Sequence, residues 1–408
     1  MNDSSIFLRR VNLRNYMSIA KCSVLLGPLR FLVGQNGAGK SNFLDALRFT
    51  ADSLNTSMEH ALRDRGGIAE VRRRSSGHPT HFGIQLQWEL PSGAHGVYSF
   101  KVGARPNGGF EIQEESCEVH SAAEFGVSSR YTVKSGKVTE CSLPTAPAAA
   151  SDRLYLVAIS GQPEFRPIYH ALSRMGFYNF NPDVIRELQS PDVGEVLAGD
   201  GHNLASVLKR LSDDPGCSTL PRIVELLGRV VPGITSVSHK PQGKKETLEF
   251  RQVVAGSKDA WRFDAENMSD GTLRALGVLV ALFQSPAAES HRVPLVGIEE
   301  PETALHPGAA AVLRSALLEA SQHTQVIVTS HSPDLLDDKA ITGDMLLSVT
   351  GHLGNTIVGR VDPVSRDAIR DHLFTAGELL RLNQLGTDDS PGSSNEDQQV
   401  QGSLLEAP

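Results

Sequence analysis

The sequence predicts a mixed α/β fold that carries an antiparallel β lobe and a mainly helical insertion, and that has no coiled-coil arms. Short apolar runs at residues 30–33, 295–298 and 325–328 each lead into a polar or glycine-rich stretch, as buried strands of a parallel sheet do. Alternating apolar and polar segments between residues 82 and 133 are separated by Gly, Pro and Asn, which indicates antiparallel strands. No long heptad repeat occurs, and extended coiled-coil arms are therefore excluded.

The composition is that of an ordinary globular protein. The 408 residues are 21% charged and 40% hydrophobic, and the net charge of −8 argues against a wholly basic nucleic-acid coat. The four cysteines, Cys22, Cys117, Cys141 and Cys217, form no C-x-x-C pair, which fits neither a zinc site nor a disulfide framework. No stretch is apolar for long enough to span a bilayer, so we expect a cytoplasmic protein without membrane contact.

The chain divides into four predicted parts. Residues 1–150 form an N-terminal lobe with two or three strands over residues 6–33, a helix over residues 42–54 and the antiparallel segments. Residues 151–260 form a mainly helical insertion, which returns to the first lobe through strands near residues 234–239 and 247–254. Residues 261–385 form a C-terminal lobe, and the polar tail over residues 386–408 is expected to be disordered.

The first strand-to-helix turn carries the strongest motif. Residues 34–41 read GQNGAGKS and fit the phosphate-binding pattern G-x-x-x-x-G-K-[ST]. Its glycines let backbone N–H groups surround phosphate oxygens, and the following helix N-terminus adds partial positive charge. Lys40 would bridge the outer phosphates of a nucleotide, and the Ser41 hydroxyl would bind Mg²⁺. The predicted nucleotide-binding residues are Gly34, Gln35, Asn36, Gly37, Ala38, Gly39, Lys40, Ser41 and Asn42.

A second apolar run ends in adjacent carboxylates. Residues 295–302 read LVGIEEPE, and successive side chains at the end of a strand point in opposite directions. One carboxylate can therefore face a metal ion while the next faces an attacking water. We assign Glu299 to the Mg²⁺ shell and Glu300 to the general base of phosphoryl transfer.

Two further stretches suit an anion. The polar turn from Ser269 to Thr272 leads into an amphipathic helix, whose N-terminus favours negative charge; taken alone, this turn would be an ordinary helix cap. His331 follows the next buried strand along the chain, at the edge where open α/β sheets bind ligands.

The four motifs in this order resemble the ABC-type ATPase heads of the RecF, SMC and OLD groups, and above all the small bacterial predicted ATPases of the AAA_21 type. The opening residues 11–18, VNLRNYMS, are also similar to the start of that group. The likeness covers most of residues 6–60 and 261–349, and the middle third only loosely. It implies a P-loop NTPase of the ABC-ATPase head type, with ATP and Mg²⁺ as cofactors.

The resemblance implies a mechanism in which two copies close head to tail over two ATP molecules. Ser269 and Gly271 of one copy would touch the γ-phosphate held by the other copy, and His331 would sense that phosphate. The ALHP segment at residues 304–307 would cross the interface. Glu299 stands where many ABC ATPases carry Asp, which could slow turnover. Gln162 is the candidate for the glutamine that completes the metal shell.

The partner and the pathway stay open at this stage. The resemblance favours DNA repair, DNA maintenance or defence against phage, with DNA and a separate effector or nuclease protein as candidate partners, because too little chain follows Val349 to form a fused nuclease. A basic cluster is a candidate contact surface, although such a run is usually a solvated face. It consists of Arg63, Arg65, Arg72, Arg73 and Arg74.

Three other classes of protein are alternatives to the ATP hydrolase. An ATP-dependent scaffold or regulatory protein with negligible turnover remains the main rival, although Lys40, Ser41 and Glu300 argue against it. A transporter ATPase subunit normally carries a Gly-Gly-Gln signature in place of Ser-Asp-Gly-Thr and a compact helical insert. A GTPase is disfavoured because the sequence has no Asn-Lys-x-Asp segment.

Overall fold

The computed structural model describes residues 7–75, 77, 79–106, 108–121, 128–213, 219–284 and 293–388. Cys217 and most of the tail predicted to be disordered, residues 389–408, lie outside the described residues. The predicted mixed α/β class with an antiparallel lobe and a helical insertion is confirmed. Within the described residues no helix is both long enough and apolar enough to cross a membrane.

The strands of the described residues fall into one large sheet and one small one. In chain order they are β1 Leu8–Tyr16, β2 Ile19–Leu25, β3 Leu29–Val33, β4 His81–Glu89, β5 His95–Ala104, β6 Phe110–His120, β7 Ser128–Lys134, β8 Lys137–Cys141, β9 Gly176–Tyr178, β10 Ile234–Gln242, β11 Lys245–Gln252, β12 Trp261–Asp264, β13 Leu295–Glu299, β14 Gln325–Ser330, β15 Leu346–His352 and β16 Asn355–Arg360.

The α-helices lie between these strands and after them. They are α1 Lys40–Asn55, α2 Met58–Arg63, α3 Ile68–Val71, α4 Tyr155–Ile159, α5 Arg166–Ser173, α6 Pro182–Arg186, α7 Leu204–Asp213, α8 Thr219–Val230, α9 Asp270–Phe283, α10 Pro307–Ala320, α11 Pro333–Leu336, α12 Pro363–Arg370 and α13 Ala376–Arg381.

The large sheet has the order β8-β7-β6-β5-β4-β1-β2-β16-β15-β3-β14-β13-β9. The strands from β15 to β9 are parallel to one another, and those from β8 to β2 form antiparallel pairs. Strand β16 joins the two sets, because it is antiparallel to β15 and parallel to β2. The phosphate loop follows β3, which lies between β15 and β14. Residues after β13 and β14 therefore reach the same edge of the sheet as the loop.

The parallel strands are covered on both faces, which explains why they read as continuous apolar runs. In β3 the side chain of Leu32 packs in one core with Phe43 and Leu47 of α1. The side chains of Phe31 and Val33 point to the opposite face, into a second core with α9 and α10. This two-sided burial fixes the position of the loop that follows β3.

Several sequence-based boundaries are wrong. The two predicted strands near residues 6–8 and 11–13 are one strand, β1, and the predicted helix over residues 42–54 already begins at Lys40. The mainly helical insertion contains a short strand, β9, which pairs with β13 at the edge of the large sheet. The strands β10 and β11 do not return to the first lobe, because they pair with each other and with β12 in a separate three-stranded sheet.

A buried carboxylate joins the antiparallel lobe to the insertion. Glu115 of β6 is 1% exposed and accepts hydrogen bonds from the hydroxyls of Tyr98 and Tyr131. It also accepts from the backbone N–H groups of Tyr155 and Leu156 at the start of α4. Burial raises the pKa of Glu115, and these four donors offset only part of that rise. Glu115 therefore sets the position of α4 on the sheet.

The basic cluster is not one exposed surface. The side chain of Arg65 is 9% exposed, and its guanidinium binds the carboxylates of Asp45, at 2.8 Å, and Asp52, at 2.9 Å, both on α1. Arg72 donates to the carbonyl of Pro79, and Arg74 pairs with a glutamate one helical turn earlier. Arg65 therefore serves to hold the loop after α2 against α1, and it is not available for contact with nucleic acid.

Candidate functional site

The backbone conformation of its glycines shapes the phosphate loop as much as side-chain contacts do. Gly39 caps α1 in the left-handed region, at φ 102°. A Cβ atom on Gly39 would lie 2.1 Å from the Thr356 hydroxyl oxygen of β16. Glycine is therefore required there both by the backbone conformation and by the contact with β16. Residues 35–37 of the loop are exposed, so their backbone is open to a ligand.

A chain of hydrogen bonds supports the loop from behind. Asn42 of α1 donates to the hydroxyl of Ser18, at 2.6 Å, and the hydroxyls of Ser18 and Thr356 are 2.7 Å apart. Thr356, which is 3% exposed, donates in turn to the carbonyl of Ala38, at 2.7 Å. Asn42 therefore contributes to the geometry of the loop through the turn between β1 and β2 and through β16.

Lys40 is held inside the loop. Its side-chain nitrogen donates to the carbonyl oxygens of Gly34, at 2.9 Å, and Gln35, at 3.1 Å. Burial lowers the pKa of the Lys40 ammonium, and the carboxylates of Glu300 and Glu302 oppose this effect. The Lys40 ammonium thus lies in the loop to which the sequence assigns the phosphates.

Glu299 and Ser41 meet directly. Glu299 ends β13 and Ser41 lies in the first turn of α1, and the Ser41 hydroxyl donates to the Glu299 carboxylate at 2.7 Å. These residues are far apart in sequence and are brought together because β13 lies two strands from β3 in the sheet. The structure thus brings together the two predicted metal ligands.

Glu300 has an unusual backbone that fixes its direction. It lies in the left-handed region, at φ 43°, and its N–H donates to the Thr329 carbonyl of β14 at 3.0 Å. Its carboxylate is 3.3 Å from Nδ1 of His331. A non-glycine residue in this region costs about 1–3 kcal/mol, and such strain clusters at functional sites. Both side chains remain about two-fifths exposed, so solvent reaches them.

Glu302 belongs to the same site, although no role was predicted for it. Its carboxylate accepts from the Ser330 hydroxyl, at 2.7 Å, and from the backbone N–H of His331, at 3.3 Å. The other carboxylate oxygen is buried and has no hydrogen-bond partner among the described residues. Glu302 therefore fixes the end of β14 and the start of the histidine loop. The sequence feature that points to Glu302 is its position in the same acidic run, three residues after Glu299.

Arg274 is a second residue that sequence reasoning missed. It lies in α9, is 9% exposed, and donates to the Phe180 carbonyl at 2.9 Å. Its second terminal nitrogen donates to the carbonyls of Glu300, at 3.3 Å, and Glu299, at 3.4 Å. Burial lowers the pKa of Arg274, and the nearby glutamates oppose the change. This guanidinium connects α9 to the backbone that carries both carboxylates.

The residues Met268–Thr272, which we call the signature turn, begin α9. The Ser269 hydroxyl caps the helix by accepting from the N–H of Thr272 at 3.2 Å. Arg186 of α6 holds the turn from outside, because it pairs with Asp270 and donates to the Met268 carbonyl at 3.3 Å. Ser269 and Asp270 are exposed.

Gly271 touches the segment that was expected to cross a dimer interface. A Cβ atom on Gly271 would lie 2.5 Å from the carbonyl oxygen of Ala304, a residue that is itself left-handed at φ 64°. The signature turn therefore packs closely on the loop after the carboxylates. Among the described residues, no hydrogen bond or ion pair joins the turn to the phosphate loop of the same chain.

No hydrogen bond within the described residues brings Gln162 to the metal ligands. It lies in the turn between α4 and α5, where its carbonyl accepts from the N–H groups of Phe165 and Arg166. Over the described part of the chain, its side chain makes no hydrogen bond to Ser41 or Glu299.

We call the assembled residues, Gly34–Ser41 with Glu299, Glu300 and His331, the phosphate-loop half.

The fold is similar to that of known ATPase heads. One is described as "Crystal structure of the SmcHead bound to the C-winged helix domain of ScpA"; it shares 14% identity, covers 88% of this chain and 99% of its own, and has a TM-score of 0.54. A Pyrococcus furiosus Smc head with an extended coiled coil, bound to the C-terminal domain of ScpA, shares 12% identity, covers 90% and 99%, and has a TM-score of 0.48. The structural likeness rests on the first of these.

The sequence comparison identifies the family. No curated protein matches the sequence significantly. Residues 29–100 and 206–337, which make up half of the chain, match the AAA_21 family, described as "AAA domain, putative AbiEii toxin, Type IV TA system". Both matched segments carry site residues, the phosphate loop in the first and the signature turn, carboxylates and histidine in the second. The chain therefore belongs to the AAA_21 family and has the fold of a P-loop ATPase head.

Proposed function

We propose that this protein is a Mg²⁺-dependent ATP hydrolase that works as a head-to-tail homodimer bridged by two ATP molecules. The direct hydrogen bond between Ser41 and Glu299, at 2.7 Å, carries this proposal. It joins the helix that follows the phosphate loop to the strand that bears the carboxylates, so that one position can take both a triphosphate and its metal.

The residues fit a magnesium ion. Mg²⁺ prefers oxygen ligands at about 2.0–2.1 Å and keeps several waters, so one hydroxyl, one carboxylate and the phosphates suffice. Ser41 and Glu299 supply two such oxygens that already lie next to each other. When bound, the ion would neutralise charge on the transferred phosphoryl group. Gln162 stays a proposal for a further ligand and has no supporting contact.

Side chains of the phosphate-loop half then have separate roles in phosphoryl transfer. Lys40 neutralises the outer phosphates and releases its bonds to the loop carbonyls when it does so. Glu300 accepts the proton of the attacking water, and His331 beside it donates toward the γ-phosphate. The backbone bond from Glu300 to β14 and the contacts of Arg274 hold this carboxylate in place.

The second protomer supplies the signature turn. Ser269 and the N-terminus of α9 are exposed and suit an anion, yet within the described ranges they have no hydrogen bond to the phosphate loop of their own chain. A head-to-tail dimer would place them on the ATP of the partner. ATP binding and hydrolysis would then close and open a surface for DNA or for a separate effector protein, in DNA maintenance or defence against foreign DNA.

The decisive experiment is a comparison of Glu300→Gln with the wild-type chain. Loss of a general base lowers a rate by about 10²–10⁴-fold, so steady-state phosphate release should fall by that factor. ATP should stay bound, and light scattering should show a dimer. The surface variant Glu118→Gln is the matched control, because Glu118 is 46% exposed on β6 and should behave like wild type.

Two outcomes would contradict the proposal at different points. If Glu300→Gln releases phosphate at the wild-type rate, Glu300 is not the base. If the wild-type protein binds ATP and releases no more phosphate than Lys40→Ala, the chain is an ATP-dependent scaffold with negligible turnover.

A further inference from the structure

A cavity of about 430 Å³ opens beside the phosphate loop. Its walls are residues 34–38 of the loop, the hairpin between β15 and β16, and the chain after α13. Residues 382–386, which we call the C-terminal turn, contribute Asn383, Leu385 and Gly386 to the lining. The volume lies within the range of small-molecule sites, about 300–1,000 Å³. The hairpin and the turn lie beyond residue 337, where the family match ends.

The sheet order indicates which end of a bound triphosphate would face the cavity. Glu300 and His331 follow β13 and β14, on one side of β3, so the outer phosphate lies on that side. The cavity lies on the other side of β3, next to β15 and β16. The end of the nucleotide opposite to the γ-phosphate should therefore reach it.

Hydrogen bonds fix the wall that the C-terminal turn provides. The hydroxyl of Ser348, a fully buried residue of β15, donates to the Leu385 carbonyl at 2.8 Å. The hydroxyl of Ser365 donates to the Gln384 carbonyl at 2.9 Å, and the N–H of Asp362 donates to the Gly386 carbonyl at 3.1 Å. These bonds come from β15 and the start of α12, so the turn is a fixed part of the fold.

One contact ties this wall to the phosphate loop itself. The amide of Gln35 donates to the side-chain oxygen of Asn383 at 3.1 Å. Asn383 is left-handed, at φ 56°, a conformation that asparagine tolerates better than most residues. The second residue of the loop and the C-terminal turn are thus coupled across the mouth of the cavity.

The chemistry of the lining suits a nucleoside. Among the described residues, no charged side chain lines the cavity, so its walls outside the phosphate loop offer no charge to hold a further phosphate. Leu380 and Leu385 supply apolar surface for the faces of a base, and Asn355 and Asn383 supply amides for its polar edge or for the ribose. The side-chain oxygen of Asn355 is buried and has no hydrogen-bond partner among the described residues, which leaves an acceptor to be satisfied.

We propose that this cavity is the nucleoside subsite of the ATP site, and that the C-terminal turn forms one of its walls. The inference rests on the proposed function, because it takes the ligand of the phosphate loop to be a nucleotide. It adds the determinants of base and ribose binding, which lie on the β15–β16 hairpin and on the C-terminal turn.

The test compares ATP with its triphosphate part alone. Calorimetric titration of the full chain with Mg-ATP and with Mg-tripolyphosphate is carried out on the wild type, Asn383→Gly and Leu385→Ala. Glycine accepts the left-handed backbone at position 383, so that variant removes the side chain without strain. Leu382→Ala is the matched control, because Leu382 belongs to the same turn and is 55% exposed.

Loss of one hydrogen bond or one apolar contact corresponds to about a three- to tenfold weaker affinity. We expect that change for ATP in both cavity variants, with unchanged tripolyphosphate binding, and no change in Leu382→Ala. Equal weakening of both ligands, or wild-type ATP affinity in both variants, would overturn the proposal.

Two further measurements separate this inference from the proposed function. Lys40→Ala should weaken ATP and tripolyphosphate alike; if it weakens neither, the phosphate loop does not bind these ligands and the proposed function fails. Photolabelling of the wild-type chain with 8-azido-ATP does not depend on the folding of any variant. The label should fall on residues 349–356 or 380–386, and a label elsewhere would reject the subsite.

Discussion

The phosphate-loop half and the signature turn differ in how far one chain completes their contacts. In the phosphate-loop half, Lys40 is bound to loop carbonyls, Ser41 to Glu299, and Glu300 lies beside His331. In the signature turn, the only role of the Ser269 hydroxyl within the described structure is to cap α9. The first region is assembled by the fold of one chain. In the second, Ser269 and Asp270 face solvent, as residues that bind a ligand held by a partner must.

The largest expected effect tests whether the two regions act on each other across protomers. Lys40→Ala damages the phosphate-loop half. Ser269→Asp damages the signature turn while it keeps the helix cap, because Asp caps helices as well as Ser does, and it places a negative charge facing phosphate. Each variant alone should hydrolyse ATP about 10²–10³-fold more slowly, as for the loss of one preorganised charge or donor.

An equal mixture of the two variants distinguishes the two arrangements. In a head-to-tail dimer of one Lys40→Ala chain and one Ser269→Asp chain, one composite site is intact. Random pairing then restores about a quarter of the wild-type rate per chain. Phosphate release by the mixture that stays at the level of the single variants would mean that the signature turn does not act in trans.

A smaller effect is expected at the residue that links the two regions inside one chain. Arg274→Met keeps the length of the side chain and removes the bonds to the Glu299 and Glu300 carbonyls. We expect hydrolysis to fall about 10- to 100-fold, as for other supporting residues, with the dissociation constant for ATP unchanged. The free energy of unfolding should fall by about 1–3 kcal/mol.

The matched control for Arg274 is Arg222→Met. Arg222 pairs with Glu319 at 2.7 Å but is 34% exposed, so its loss should change stability by less than about 1 kcal/mol and leave hydrolysis intact. A wild-type turnover number for Arg274→Met would show that Arg274 only packs between α9 and the strand end. Recovery of turnover in Arg274→Lys would support positioning by the positive charge.

The smallest expected effect lies outside both regions, at Glu115. Its pKa is raised by burial, so the native state binds its proton more tightly than the unfolded state does. The stability that this group contributes is therefore greatest below the ordinary glutamate pKa, about 4.3, and is lost as the pH rises through the raised value. Glu115→Gln does not titrate.

The difference in melting temperature between Glu115→Gln and wild type should thus shift in favour of the variant as the pH rises through that window. The part of the melting-temperature difference that does not depend on pH reflects the NH₂ group of the introduced glutamine, whose hydrogens face hydrogen-bond donors in this pocket. Hydrolysis measured well below the melting temperature should be unchanged. Parallel melting curves across the pH series would show that Glu115 has the same protonation in both states.

Much of the phosphate-loop half could be predicted because its chemistry follows from local spacing. The loop pattern, the apolar strand before it and the paired carboxylates each occupy a few consecutive residues, and parallel strands bring their carboxyl ends to one edge. The contact between Ser41 and Glu299 agrees with that reasoning. The supporting residues Glu302 and Arg274 were missed, because their roles depend on contacts with segments distant in sequence, such as Ser330 and Phe180.

The sequence by itself determined the α/β class, the position of the phosphate loop and the identity of the carboxylate pair, since each depends on local periodicity and residue type. Only the tertiary structure decided that β9 joins the large sheet, that β10–β12 form a separate sheet and that Arg65 is internal. It also placed the C-terminal turn against Gln35. Strand pairing and burial depend on which distant surfaces meet, and the apolar pattern of one segment does not specify its partner.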